Sequence, residues 1–410
     1  IREERARYCR CVYETSKKED WTDAFVNAME IDVPNRYNLY DYDEEYPLLQ
    51  DVIDARPHVI ADLNLFLTAW KKALTQKGLN TRPAVLLLET SHRLEGLDGV
   101  SKLARKWKNK QPQGYLFWLD ILKRENDPKS IIKVSAEGLK ALEKGRPRKQ
   151  VAQFLIDAAE KIGDAKNLLL GKRERLYSRP SDHDLIEFVG EAVKQDVRER
   201  ELKKVITFFR SGTLEDSDET ALYIKALLMG GKLPDAFTLV EKEKSVGWSY
   251  FSNTGVVFGA ILSMLADHHG KATTIKTLFC GYANRESAYS GRMSIDDEPG
   301  TSFYEEIVKG LKQQKQTEAE KKKYFSWAEK IGKGRIDHIV SNKHRNAYER
   351  AAQVLGALAE AYMTRGQNDK AKKIIHHFYA EKYNRFSAFR REVKSVVTSS
   401  QLLRTAGFLN

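Results

Sequence analysis

The chain has 410 residues, a formal charge of +12 and an isoelectric point near 9.3. A content of 41% hydrophobic and 31% charged residues with 10 prolines excludes a disordered chain, and no run approaches the roughly 18 to 20 apolar residues that span a bilayer. Three cysteines, Cys9, Cys11 and Cys280, are odd in number and unevenly placed, which excludes a disulfide framework and leads us to expect a reducing, cytoplasmic setting.

Length alone allows two or three domains or one elongated array of stacked units. The first stretch, 1–62, reads as an acidic, tyrosine-rich helical segment. The charged residues after Ile1 give no signal-peptide pattern. From Glu14 to Asp62 thirteen acids face Lys17, Lys18, Arg36 and Arg56, so this part carries −9 and the remainder +21. Such polarity steers anionic partners toward the basic part. Within it, NRYNLYDYDEEYPLL sets Tyr37, Tyr40, Tyr42 and Tyr46 among acids. Tyrosine offers a large contact area with a polar tip, so these four are candidates for docking a partner, the alternative being packing onto the first helices.

Residues 63–283 read as helical repeats. Apolar spacing predicts helices over Asp62–Leu74, Ala84–Leu94, Tyr115–Lys123 and Ile131–Leu142, punctuated by Gly78, Asn80, Pro112, Pro128 and Pro147. VAQFLIDAAEKIG ends at Gly163, and ETALYIKALLMGG at Gly231, 68 residues on, which is twice 34. A copy between them is expected to use Ile186, Val189, Gly190 and Val193 on its first helix and Leu202, Ile206 and Phe209 on its second, with Gly190 at a close crossing. No alternating β-branched runs with hairpin signals occur, so strand content should be near nil.

Residues 284–303, including NRESAYSGRMSIDDEPGT, read as a linker or loop, and 304–410 as a basic helical module. LKQQKQTEAEKKKYFSWAEKIGKG is expected to form one charged, exposed helix. In YERAAQVLGALAEAYMTRGQNDKAKKIIHHF, the residues Leu358, Ala359, Tyr362, Gly366, Ala371 and Ile375 take the large, small, aromatic, turn-glycine, small and large positions of the tetratricopeptide repeat, which the segment resembles. Phe378 departs at the last small position, and Pro180 falls where the unit beginning near Val151 should end. The fold this implies is an all-α, tetratricopeptide-like α-solenoid of helix-turn-helix repeats. RIDHIVSNKHRNAYERAAQVLGALAEAY with RFSAFRREV resembles the helical region downstream of the zinc finger in bacterial SWIM-type proteins, which implies a nucleic-acid association. The finger itself is absent, since the C-x-C at Cys9 to Cys11 has no C-x-H to complete it.

Cys9 and Cys11 supply at most two of the four ligands of a structural zinc site and read better as apolar fillers. His268-His269 and His376-His377 are adjacent pairs that point about 100° apart on a helix, unlike an i, i+4 metal pair. Asp182-His183-Asp184 follows Pro180-Ser181 and reads as a helix cap. No histidine follows an arginine at the spacing of helical HEPN-type ribonucleases, and phosphate-loop, zincin and nucleophile-elbow strings do not occur. No catalytic residue, metal, cofactor or small-molecule substrate is therefore expected.

Basic clusters carry the strongest signal. They are Lys102, Arg105, Lys106, Lys108 and Lys110 around Trp107; Lys144, Arg146, Arg148 and Lys149; and Lys172, Arg173 and Arg175. The last module adds Lys343, Arg345, Arg350, Lys372, Lys373, Arg385, Arg390, Arg391 and Lys394, its candidate macromolecule-binding residues. Such density neutralises phosphates, and it also suits a solvated helix face. The expected function is a non-enzymatic scaffold or adaptor for a protein partner, the alternative being a nucleic-acid-binding accessory protein that uses its basic C-terminal half.

Overall fold

A computed structural model describes residues 1–31, 46–78, 81–212, 217–246, 253–267, 270–283, 302–406 and 408. Among them the regular structure is entirely helical, with no strand. No helix among them is long and apolar enough to cross a membrane. Two compact units divide the chain, Ile1–Arg179 and Pro180–Asn410, so the division falls inside the stretch read as repeats.

The first unit holds α1 (Arg2–Thr15), α2 (Trp21–Ala28), α3 (Leu49–Asp54), α4 (Leu63–Gln76), α5 (Thr81–Trp107), α6 (Gln113–Arg124), α7 (Pro128–Ala141), α8 (Arg146–Ile162) and α9 (Ala165–Ser178). Prolines open these helices because the first turn needs no amide donor: Pro112 caps α6, Pro128 starts α7 and Pro147 lies in the first turn of α8. At its N-terminal end, Tyr13, Trp21, Phe25, Phe66 and Trp70 form a ring cluster with centroids about 5 to 6 Å apart. From α5 onward, each helix packs on the next, and α6 also meets α8.

The second unit holds α10 (Asp182–Lys194), α11 (Arg198–Ser211), α12 (Ser217–Met229), α13 (Leu233–Thr238), α14 (Asn253–Leu265), α15 (Thr273–Ala283), α16 (Phe303–Lys312), α17 (Glu318–Ser341), α18 (Tyr348–Met363), α19 (Asn368–His376), α20 (Ser387–Ser399) and α21 (Gln401–Thr405). Its core is α14, and α12, α15, α16, α17 and α18 all pack on it. Arg198 fixes α16 by donating to Glu306 Oε2 at 2.6 Å and to the carbonyls of Met229 and Glu306 at 3.0 Å each. Gly310 lets α16 lie directly on the carbonyls of Leu228 and Met229, where a Cβ would not fit.

The turn inside each helix pair is built alike. Asn126, Gly163, Asp196, Gly231 and Asp267 all have positive φ, and they stand 37, 33, 35 and 36 residues apart. After the first four, the next amide reaches back to the helix: Asp127 to Leu122, Asp164 to Ala159, Val197 to Ala192 and Lys232 to Leu227, at 2.7 to 3.1 Å. That is the Schellman closure, which satisfies helix-end carbonyls by putting one residue in the left-handed region. Gly366 repeats it, with Gln367 donating to Tyr362 at 2.9 Å.

Several expectations need revision. On α10 the buried face is Leu185, Phe188, Val189 and Ala192, while Val193 is 37% exposed and Ile186 and Gly190 are half-buried. The face is turned by one residue because Asp184 is drawn in: its amide donates to Ser181 Oγ at 3.2 Å, and its carboxylate accepts from that hydroxyl at 2.6 Å. Leu202, Ile206 and Phe209 are buried as expected. The charged stretch from Leu311 becomes its one long helix only at Glu318, after Thr317 and Glu320 form a capping box, since Leu311 and Lys312 still end α16. Nor is it wholly exposed: Tyr324, Phe325, Ala328 and Ile331 are buried, and Trp327 donates to the Glu241 carbonyl at 3.2 Å. Residues 284–301 of the expected linker lie outside the described residues, and Ser302 already caps α16.

Candidate functional site

The basic module rests on α18, whose buried residues face neighbours on nearly every side. Leu358, Ala359, Tyr362, Ala371 and Ile375 are all buried, with Gly366 in the turn between α18 and α19. Tyr362 donates to Glu329 at 2.6 Å across to α17, and burial together with that bond pushes its phenol well above the usual range. Glu360 is fully buried. Its carboxylate accepts from the amides of Thr274 and Ile275 at the start of α15 (3.0 and 2.8 Å) and from Ser400 at 2.7 Å. Glu89 does the same in the first unit for Leu49 and Gln50, at 2.8 and 2.7 Å. Burial raises both carboxyl pKa values.

Beyond α19, the chain makes one π turn, His377–Lys382. Widening by one residue brings the Nδ1 atoms of both His376 and His377 to Glu381, at 3.1 and 3.0 Å. Adjacent histidines thus converge on one carboxylate, which ordinary helical geometry does not allow. Tyr383 then stacks on Phe378 and meets Phe386 and Phe389 edge-on, and Tyr348 meets Phe389 edge-on at 5.9 Å. Tyr383 donates to Asp337 Oδ1 at 2.8 Å, and Lys382 pairs with the same oxygen at 2.8 Å. These links hold the end of α17 and the start of α18 against the stretch from 378 to 389. Lys343, in a left-handed conformation, and Arg345, in a 3-10 turn, lie between Asp337 and Tyr348 and so belong to the same end.

Of the candidate cations, Lys343, Arg345, Lys372, Lys373, Arg385 and Lys394 are exposed, and among the described residues they make no ion pair. Arg391 approaches Glu392 only at 3.5 Å. Arg390 lies over the Tyr379 ring at 4.5 Å. Arg350 is half-buried, and its charge, after burial itself, helps lower the pKa of the buried Arg335. In the first unit Lys102, Lys106, Lys108 and Lys110 are likewise exposed, whereas several arginines are tied into the packing. Arg105 grips Glu137 through two nitrogens at 2.9 and 3.1 Å and lies over Trp118, Arg148 pairs with Glu174 at 2.5 Å, and the buried Arg175 donates to Gln153 at 2.8 Å.

No family model and no curated protein matches the chain. What it can do is therefore read from its own residues.

Tyr46, the described member of the acidic tyrosine set, is half-buried, with Arg5 and Arg82 over its ring at 4.1 and 4.5 Å. Tyr37, Tyr40 and Tyr42 lie outside the described residues, as do His268 and His269. Cys9 is buried, which pushes its thiol up to about 11, whereas Cys11 is exposed two residues along α1. Among the described residues no group of three His, Cys, Asp or Glu side chains could hold a metal. Ser181 caps α10, as its position after Pro180 indicated, and His183 lies 3.4 Å from Glu187 on the surface. The residues that sequence reasoning missed are Tyr379, Asp337 and Glu360. Their roles depend on the π turn and on contacts between helices far apart in sequence, for which no local spacing is a signal.

Proposed function

We propose that the chain is a scaffold of tetratricopeptide-like helix pairs, without chemistry of its own, whose work is to hold a protein partner. The observation that carries this reading is the recurrence of one left-handed turn at Asn126, Gly163, Asp196, Gly231 and Asp267, at intervals close to the 34 residues of that repeat. Further support comes from α6, which meets both its own partner α7 and the first helix of the next pair, α8. Burial of Leu358, Ala359, Tyr362, Ala371 and Ile375 around Gly366 fits the pattern position by position. Stacked pairs of this kind, within each unit, present a helical face to a ligand. Cross-linking in the native host, followed by capture of the chain and identification of cross-linked peptides, tests the reading. One protein at near-equal stoichiometry, cross-linked to helix pairs of one unit, is expected. Substrate turnover by the purified chain with no such partner would contradict it.

A further inference from the structure

We propose that the exposed cations of the C-terminal module form a docking surface for single-stranded nucleic acid, with phosphates on the lysines and arginines and a base on the Tyr379 ring. The inference is independent of the scaffold reading, because it concerns only the surface built on α17 to α20.

Three observations carry it. Lys372, Lys373, Arg385 and Lys394 are exposed and have no acidic partner among the described residues, so their charges are open to a ligand. From Arg365 onward ten lysines and arginines stand against Asp369, Glu381 and Glu392, a balance of +7, so the field of this region stays positive. Finally, Tyr379 is only part-buried and carries the Arg390 guanidinium at 4.5 Å, which sets a π face among phosphate-binding groups.

Charge complementarity selects a polyanion, and the ring selects among polyanions. Phosphates released from their counterions bind any such array of lysine and arginine. A half-exposed aromatic stacks on a base only when that base is free of its own stack, so a single strand fits and a duplex does not. An acidic peptide offers carboxylates but no base to stack.

The test is fluorescence anisotropy of the full chain with a labelled oligodeoxynucleotide of about 20 nucleotides, single-stranded or as a duplex. Single-strand affinity should fall at least tenfold between about 50 and 200 mM salt. Arg391→Glu with Lys394→Glu should weaken it about tenfold, while Lys72→Glu with Lys166→Glu, an equal change of charge in the first unit, should stay within about twofold. Tyr379→Ala should cost about fivefold on the single strand, with Tyr379→Phe within about twofold, since the ring and not the hydroxyl stacks. Melting curves of the variants separate lost binding from lost folding. Absence of binding at the lower salt would overturn the proposal, as would equal losses from the two charge reversals, equal affinity for duplex, or displacement by polyglutamate of matched charge.

Discussion

Asp337 on α17 accepts from the Tyr383 hydroxyl at 2.8 Å and pairs through the same oxygen with Lys382, also at 2.8 Å. One carboxylate thereby locks the chain beyond the π turn onto a helix some forty-six residues earlier. Tyr383 is 4% exposed, so its hydroxyl has no ready exchange for water. Asp337→Ala should destabilise the chain by about 1–3 kcal/mol, the cost of stranding a buried donor. Asp337→Asn keeps the acceptor and loses only a half-exposed ion pair, so its melting temperature should stay near wild type. Equal loss from both variants, measured by calorimetry, would show that the charge and not the hydrogen bond matters.

Glu360 occupies the same kind of position as Glu89, a buried carboxylate at the first turn of another helix. Glu360→Ala strands two amides and the Ser400 hydroxyl, and should cost roughly 3 kcal/mol in urea unfolding. Burial raises the folded pKa above the ordinary 4.5, so the folded state holds this proton more tightly than the unfolded chain. The resulting stability is fully present below about pH 4.5 and is lost as pH rises through the folded value. Glu360→Gln removes that dependence. The advantage of wild type over Glu360→Gln should therefore be greater at about pH 5 than at about pH 8; an unchanged difference would count against it.

Much of the fold was legible because its signals are local. Proline placement and apolar spacing located α4, α6 and α7 nearly to their ends, and Gly163 and Gly231 marked two of the recurring turns. The equivalent turns at Asn126 and Asp196 were hidden, since these residues enter the left-handed region at modest cost without looking like glycine. On α10, the position of the buried face followed from the Ser181 cap, which draws Asp184 inward and rotates the apolar stripe away from Val193. The exposed cations of the proposed surface were legible in part. Charge density singled out Lys372, Lys373 and Lys394, which are exposed, together with Arg105 and Arg148, whose partners Glu137 and Glu174 lie 32 and 26 residues away.

The turns themselves are open to direct substitution. Asp196→Gly and Asn126→Gly should each raise stability by about 0.5–1 kcal/mol by relieving left-handed strain, whereas Gly163→Ala should lower it by about 1 kcal/mol. Gly310→Ala should be worse than any of these, because its methyl would run into the Met229 carbonyl and α16 would have to lift. Thermal melts of the four variants give the order. A neutral Gly310→Ala would mean that α16 does not lie where Arg198 holds it.

Tyr115 donates to Glu137 at 3.0 Å, and burial followed by that bond pushes its phenol up to about 12 from an ordinary 10. A raised folded pKa means the associated stability is complete below pH 10 and is lost as pH rises toward 12. Absorbance titration at the phenolate band should show one fewer late-ionising tyrosine in Tyr115→Phe, and alkaline unfolding of that variant should lose part of its steepness between about pH 10 and 12.

Hydrogen exchange across the whole chain, read at peptide resolution by mass spectrometry, tests the helix-pair architecture most directly. Slow exchange should run through α6 to α12 and lapse briefly at the turns around Asn126, Gly163, Asp196 and Gly231, at intervals of about 35 residues. Unbroken protection across those turns, or an infrared band of extended sheet from the same sample, would contradict the architecture on which the proposed scaffold rests.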